Sequence, residues 1–85
     1  MKKVIFSDKA PAAIGPYSQA IEANGMIFVS GQLPVDAKTG EFVPGGVSEQ
    51  ARQSLENIKH ILTEAGLTMA DIVKTTVFLS DMSLF

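Results

Sequence analysis

The Asn24-Gly25 step constrains this chain more than any other local feature. It separates two runs with strand character. In the first, Tyr17, Gln19, Ile21 and Ala23 alternate with Ser18, Ala20 and Glu22; the second is the apolar run Met26-Ile27-Phe28-Val29. A two-residue type I′ turn needs positive φ at both central positions, and Asn-Gly meets that need at the least steric cost. The sequence therefore predicts a hairpin that pairs a strand at 17–23 with one at 26–32. Val4-Ile5-Phe6 suits a short strand before it, and Pro11, Gly15 and Pro16 mark a loop between them.

The next strong signal is helical. Ala51, Leu55, Ile58, Leu62 and Ala65 recur at spacings of 4, 3, 4 and 3, which places them on one helix face. Ser48 reads as the cap of this helix, Glu49 sits in its first turn, and Gly66 ends it in the left-handed position. The other side carries Glu49, Arg52, Gln53, Glu56, Lys59, His60, Thr63 and Glu64. Between hairpin and helix lies a long loop, 33–47, with a turn at Thr39-Gly40. After the helix, Thr68 caps a short turn, and the β-branched segment 72–79 reads as a central strand. Ser80 to Phe85 has the look of a cap and the first turn of a second helix. The expectation is one α/β (α+β) domain over 1–85, partial rather than whole, because a helix start follows the last strand with no helix after it.

Composition narrows the function classes. A chain of this length buries only roughly 60–65% of its unfolded surface, so extra support is expected. There is no cysteine, hence no disulfide and no thiolate, and one histidine rules out a histidine-rich metal site within a single chain. Partner subunits are then the expected support. With 46% hydrophobic and 19% charged residues the chain is globular in character. The net charge is −2, and six lysines and one arginine are scattered, which argues against nucleic acid. No apolar run approaches the ~20 residues of a membrane span. The N-terminal apolar run stops after Phe6, short of the roughly 7–15 residues of a signal core. A soluble, cytoplasmic protein is the expectation.

Few residues are placed to carry chemistry. Pro16 holds Tyr17 at the mouth of the first hairpin strand, where a phenol can close an apolar pocket and donate one hydrogen bond. A strand-end tyrosine that merely packs is the simpler alternative. Ser30-Gly31-Gln32 ends an apolar strand with a polar step. Gly31 permits close approach of a ligand to backbone N–H or C=O, and Ser30 adds a hydroxyl; a β-bulge with a strand-ending turn fits the same residues equally well. Ser30 lacks a nucleophile elbow, and His60 falls on the polar helix face, so a Ser-His-Asp triad is not expected. The acids show no metal-ligand spacing. Arg52 reads as a solvated helix residue, and no second arginine exists to hold a carboxylate.

Four stretches together resemble the RidA/YjgF family of reactive-intermediate imine deaminases. They are Ala10-Pro11-Ala12-Ala13-Ile14-Gly15-Pro16-Tyr17-Ser18-Gln19-Ala20, Val29-Ser30-Gly31-Gln32-Leu33-Pro34, Gln50 to Ile58, and Asp71 to Leu79. The resemblance implies a chorismate-mutase-like fold, a mixed sheet packed on helices, assembled as a homotrimer with pockets between subunits. Here the C-terminal helix and strands of that fold are expected to be lacking. It implies hydrolysis of 2-imino acids such as 2-iminobutanoate and 2-iminopropanoate, or their enamine tautomers, to 2-oxo acids and ammonia, with no cofactor and no metal. The partners implied are a small imino or oxo acid and further copies of the chain. Tyr17, Ser30 and Gly31 match substrate-binding positions. The family's pocket arginine and carboxyl-terminal glutamate have no match, and Arg52 matches a helix arginine instead. No catalytic residue is therefore assigned with certainty within this chain. A non-catalytic small-ligand-binding or interaction module, or an inactive fragment of the deaminase, is the alternative.

Overall fold

The structure, a computed structural model, describes residues 2–79 and Ser83. Three short strands form an antiparallel sheet in the order β1-β2-β3: β1 (Lys3–Ile5), β2 (Ala20–Ala23) and β3 (Met26–Val29). The hairpin follows from its turn. Asn24 has φ 52° and Gly25 has φ 74°, as a type I′ turn requires, and Ala23 pairs with Met26 directly across it. The strands are shorter than expected. Residues 17–19 precede the β2 ladder, although Ser30 N–H still donates to Gln19 C=O at 2.9 Å beyond the end of β3.

Register divides the sheet into two faces, because paired residues point the same way and neighbours alternate. Ile5, Ala20 and Val29 share one face, through the pairs Ile5–Ala20 and Ala20–Val29. That face meets Ile61 of the helix α1 (Val47–Glu64) and forms the core with Ala10, Ile27 and Ala65. Val4, Ile21 and Phe28 share the other face. It is largely bare: Val4, Met26 and Phe28 are 62%, 50% and 57% exposed, and Phe6, just past β1, is 60% exposed.

Two polar side chains tie the irregular segments to this frame. Gln19 is buried ahead of β2. Its Oε1 accepts from Ser7 N–H at 2.7 Å, and its Nε2 donates to the carbonyls of Ser7 (3.0 Å), Ala10 (3.3 Å) and Pro11 (2.8 Å). The loop between β1 and β2 is thus folded around one amide. Asn57, buried in mid-helix, does the same for the loop after β3, donating to Leu33 C=O at 3.1 Å and Val35 C=O at 3.0 Å. That loop closes on itself through a bridge between Val35 and Phe42 and a turn at Gly40, φ 74°. No buried side-chain nitrogen or oxygen of the described residues lacks a hydrogen-bond partner.

The helix departs from expectation at its start and on its buried face. Its N-cap is Gly46, not Ser48, and Glu49 Oε1 accepts from Gly46 N–H at 2.8 Å, satisfying a donor that Ser48 would have left open. The buried residues are Asn57, Ile61 and Leu62; Ala51 is exposed and Leu55 is 49% exposed. Periodicity locates an apolar stripe but not which part of it has a neighbour. The residues of this region that join the sheet in the core are Ile61, near the C-terminal end of α1, and Ala65, just past it. Gly66 adopts the left-handed conformation at φ 79°, as expected. Thr68 opens a 3-10 turn, Met69–Asp71, where Asp71 Oδ2 accepts from Thr68 N–H at 2.9 Å.

The expected central strand at 72–79 is not one. No ladder includes it among the described residues, and Val73, Val77 and Phe78 are 86%, 62% and 92% exposed. Strand propensity expresses packing against neighbouring strands, and no described strand pairs with this segment. The helix start expected at 80–85 falls, apart from Ser83, outside the described residues.

Candidate functional site

The segment before β2 delivers Tyr17 to the surface. Gly15 takes φ 125°, a conformation that L side chains rarely adopt. Tyr17 N–H then donates to Gly15 C=O at 2.9 Å. The chain turns sharply here and leaves the phenol 50% exposed. Its oxygen accepts a long hydrogen bond from Ile14 N–H at 3.4 Å, which leaves the phenolic hydrogen free to donate outward. Tyr17 borders a shallow depression of about 280 Å³ whose apolar walls are Val4, Phe6, Ala12 and Ala13.

Ser30 reaches the same neighbourhood through its hydroxyl, which donates to Ser18 C=O at 2.6 Å; Ser18 also lines the depression. With its one hydrogen committed, Ser30 Oγ can only accept from a ligand. It is therefore no nucleophile poised by a base. Gly31 follows. Among the described residues its N–H and C=O make no hydrogen bond, and a Cβ built on it meets nothing within 4 Å. The structure thus couples Ser30 to the Tyr17 segment through Ser18, while Ser30 and Gly31 themselves lie outside the depression's lining.

Arg52 is exposed on α1 and lines neither this depression nor a second one of about 310 Å³ beside Lys3 and Glu64. His60 is half-buried on α1. Among the described residues no three His, Asp or Glu side chains converge to hold a metal ion. Pattern reading missed Gln19 and Asn57, the two amides that shape both loops of the site. For Gln19 a signal was available, a polar side chain sharing a strand side with Ile21 and Ala23; Asn57 had none, since its helical neighbours Gln53, Ser54 and His60 are polar. The partners of both amides, backbone carbonyls of distant loops, leave no mark in a sequence.

Comparison with known proteins fits this geometry. The family described as Endoribonuclease L-PSP matches residues 7–85. The 2-iminobutanoate/2-iminopropanoate deaminase of Escherichia coli is 56% identical over 85 residues, covering all of this chain and 66% of that protein. A conserved Rid-family protein of unknown function from Yersinia pestis superposes with a TM-score of 0.94 at 47% identity, over 98% of this chain and 66% of that one. Escherichia coli TdcF with bound serine superposes with a TM-score of 0.89 at 51% identity, over 95% of this chain and 63% of that one. The chain spans about two thirds of the length of these relatives. Sequence identity along its whole length and near-superposition of its backbone show that this chain belongs to the RidA/YjgF family, with the chorismate-mutase-like α+β fold of its members.

Proposed function

We propose that this chain supplies the Tyr17, Ser30 and Gly31 portion of a pocket that hydrolyses 2-imino acids, or their enamine tautomers, to 2-oxo acids and ammonia. The observation that carries the reading is 56% identity, along the entire chain, to a protein named 2-iminobutanoate/2-iminopropanoate deaminase. In the reaction, water adds to the imine carbon, the carbinolamine nitrogen gains a proton, and the C–N bond breaks to release ammonia. Only water is consumed. Catalysis needs a positioned water, a proton donor near nitrogen and an anchor for the carboxylate. The free phenolic hydrogen of Tyr17 suits donation to the substrate. Ser30 Oγ suits acceptance from an imine or enamine N–H, and the Gly31 backbone, without a hydrogen bond among the described residues, suits a polar contact at close range.

The anchor is the missing part. Arg52, the sole arginine, is exposed and away from Tyr17's depression. We infer that the carboxylate is held by a group outside these 85 residues or on another copy, and that the 85-residue chain alone is inactive or nearly so. The bare apolar sheet face of Val4, Met26 and Phe28 supports assembly with further copies, a homotrimer by family resemblance. We place the protein in the cytoplasm, beside the pyridoxal-phosphate enzymes that release such imines. No described helix is long and apolar enough to cross a membrane.

Semicarbazide trapping during threonine dehydratase turnover tests this. The Escherichia coli relative should speed release of 2-oxobutanoate, and the 85-residue chain should not. A rate from the chain matching the relative's would overturn the inference about the anchor. A second reading, ligand binding without catalysis, draws on the serine bound to TdcF. Calorimetric binding of 2-oxobutanoate, with no hydrolysis even in the assembled protein, would favour it. A nuclease role finds no support in a net charge of −2 with scattered cations.

A further inference from the structure

We propose that Asn57 is a positioning residue whose buried carboxamide fixes one end of the backbone arch that offers Gly31 to a ligand. This rests on the reading of Gly31 as a ligand contact. The arch begins at Ser30, which is tied down twice: N–H to Gln19 C=O at 2.9 Å and Oγ to Ser18 C=O at 2.6 Å. It ends at Leu33 and Val35, whose carbonyls both accept from Asn57 Nδ2, at 3.1 and 3.0 Å. Between these anchors Gly31 has, among the described residues, no backbone hydrogen bond, and open space on the side where a Cβ would stand.

Asn57 is built for this task and ill suited to any other at its position. Asparagine is a poor residue for a helix interior, yet this one is fully buried there. Gln53 Nε2 donates to Asn57 Oδ1 at 2.8 Å, which sets the amide so that both Nδ2 hydrogens face the loop. A reversed amide would aim its oxygen at two carbonyl oxygens. The side chain therefore acts as a keyed clamp rather than a packing group. A ligand meeting Gly31 then finds an arch whose ordering entropy is already spent.

The test uses backbone relaxation and titration by NMR on a complete deaminase carrying this segment, as the parent chain, and on two variants of it. Asn57→Ala removes the clamp; Leu33 is exposed and Val35 half-buried, so water can reach the released carbonyls. Gln53→Ala leaves both Asn57 donors but frees the amide to turn, and it serves if Asn57→Ala does not fold. In the parent chain the Gly31 amide should show an order parameter near about 0.85, falling below about 0.6 in Asn57→Ala and by less in Gln53→Ala. The β2–β3 amides should not change. Titration with 2-oxobutanoate should shift the Gly31 resonance, with a Kd weakened about tenfold or more in Asn57→Ala. Unchanged Gly31 order in both variants, or equal loosening of the hairpin, overturns the clamp. If 2-oxobutanoate leaves Gly31 unmoved in the parent chain, the ligand role fails, while the order parameters still decide the clamp without any ligand.

Discussion

Replacing Gln19 by leucine isolates what one buried amide contributes to this fold. Leucine matches the glutamine in bulk but offers no hydrogen bond. Four bonds are lost, and their former partners are Ser7 N–H and the carbonyls of Ser7, Ala10 and Pro11. Pro11 is half-buried, so its carbonyl can recover water. Ser7 and Ala10 are 2% and 3% exposed, so three stranded groups remain. Each costs about 1–3 kcal/mol when left unpaired. Partial opening of the loop and the added apolar contact of leucine put the net loss at the low end, about 3 kcal/mol. That is a large share of the roughly 5–15 kcal/mol that holds a domain folded. For a chain of this size it corresponds to a fall in Tm of about 12–24 °C. Thermal and urea melts followed by circular dichroism measure it. Limited proteolysis should also cut the variant first between Asp8 and Pro16, the loop the amide holds. A shift under about 5 °C with that loop still protected would refute the reasoning, since three buried polar groups cannot be stranded so cheaply. Gln19→Glu is the companion. It keeps the acceptor for Ser7 N–H but turns lone pairs on three carbonyl oxygens, so it should be at least as damaging.

Three further outcomes are expected. Tyr17→Phe removes a half-exposed hydroxyl with one long hydrogen bond, so melting should change by less than about 0.5 kcal/mol; turnover in a complete deaminase carrying this segment should nevertheless fall, and unchanged kinetics would remove Tyr17 from the site. Gly25→Ala has open space for its methyl but must hold φ 74°, so it should cost about 1–2 kcal/mol from backbone strain alone, read by urea denaturation. Phe28→Asp places a charge at the centre of the bare sheet face; sedimentation velocity should show it abolishing association of copies, while hairpin amide shifts stay in place.

Much of the frame is legible in the sequence because its causes are local. Asn24-Gly25 carries its turn in its own φ preferences, and Gly66 ends the helix for the same reason. The helix shows in its spacing. Its cap does not, because the bond between Glu49 and Gly46 competes with an equally plausible start at Ser48. The three site candidates Tyr17, Ser30 and Gly31 can be named from pattern and resemblance. What the hydroxyls do cannot. Ser30 spends its hydrogen on Ser18 and Tyr17 keeps its own, a difference set by neighbours rather than residue type.

By itself, the sequence determined where this chain turns, where it is helical and which family it belongs to. Those properties rest on interactions between near neighbours, or on a pattern spread along the whole chain. Only the tertiary structure decided that 72–79 pairs with no described strand, that the helix buries Asn57 and Ile61 rather than Ala51 and Leu55, and that the amides of Gln19 and Asn57 hydrogen-bond to the carbonyls of two loops. A ladder needs a partner strand, and a buried amide needs carbonyls from segments 8 to 24 positions away. Such contacts exist only once the chain has folded.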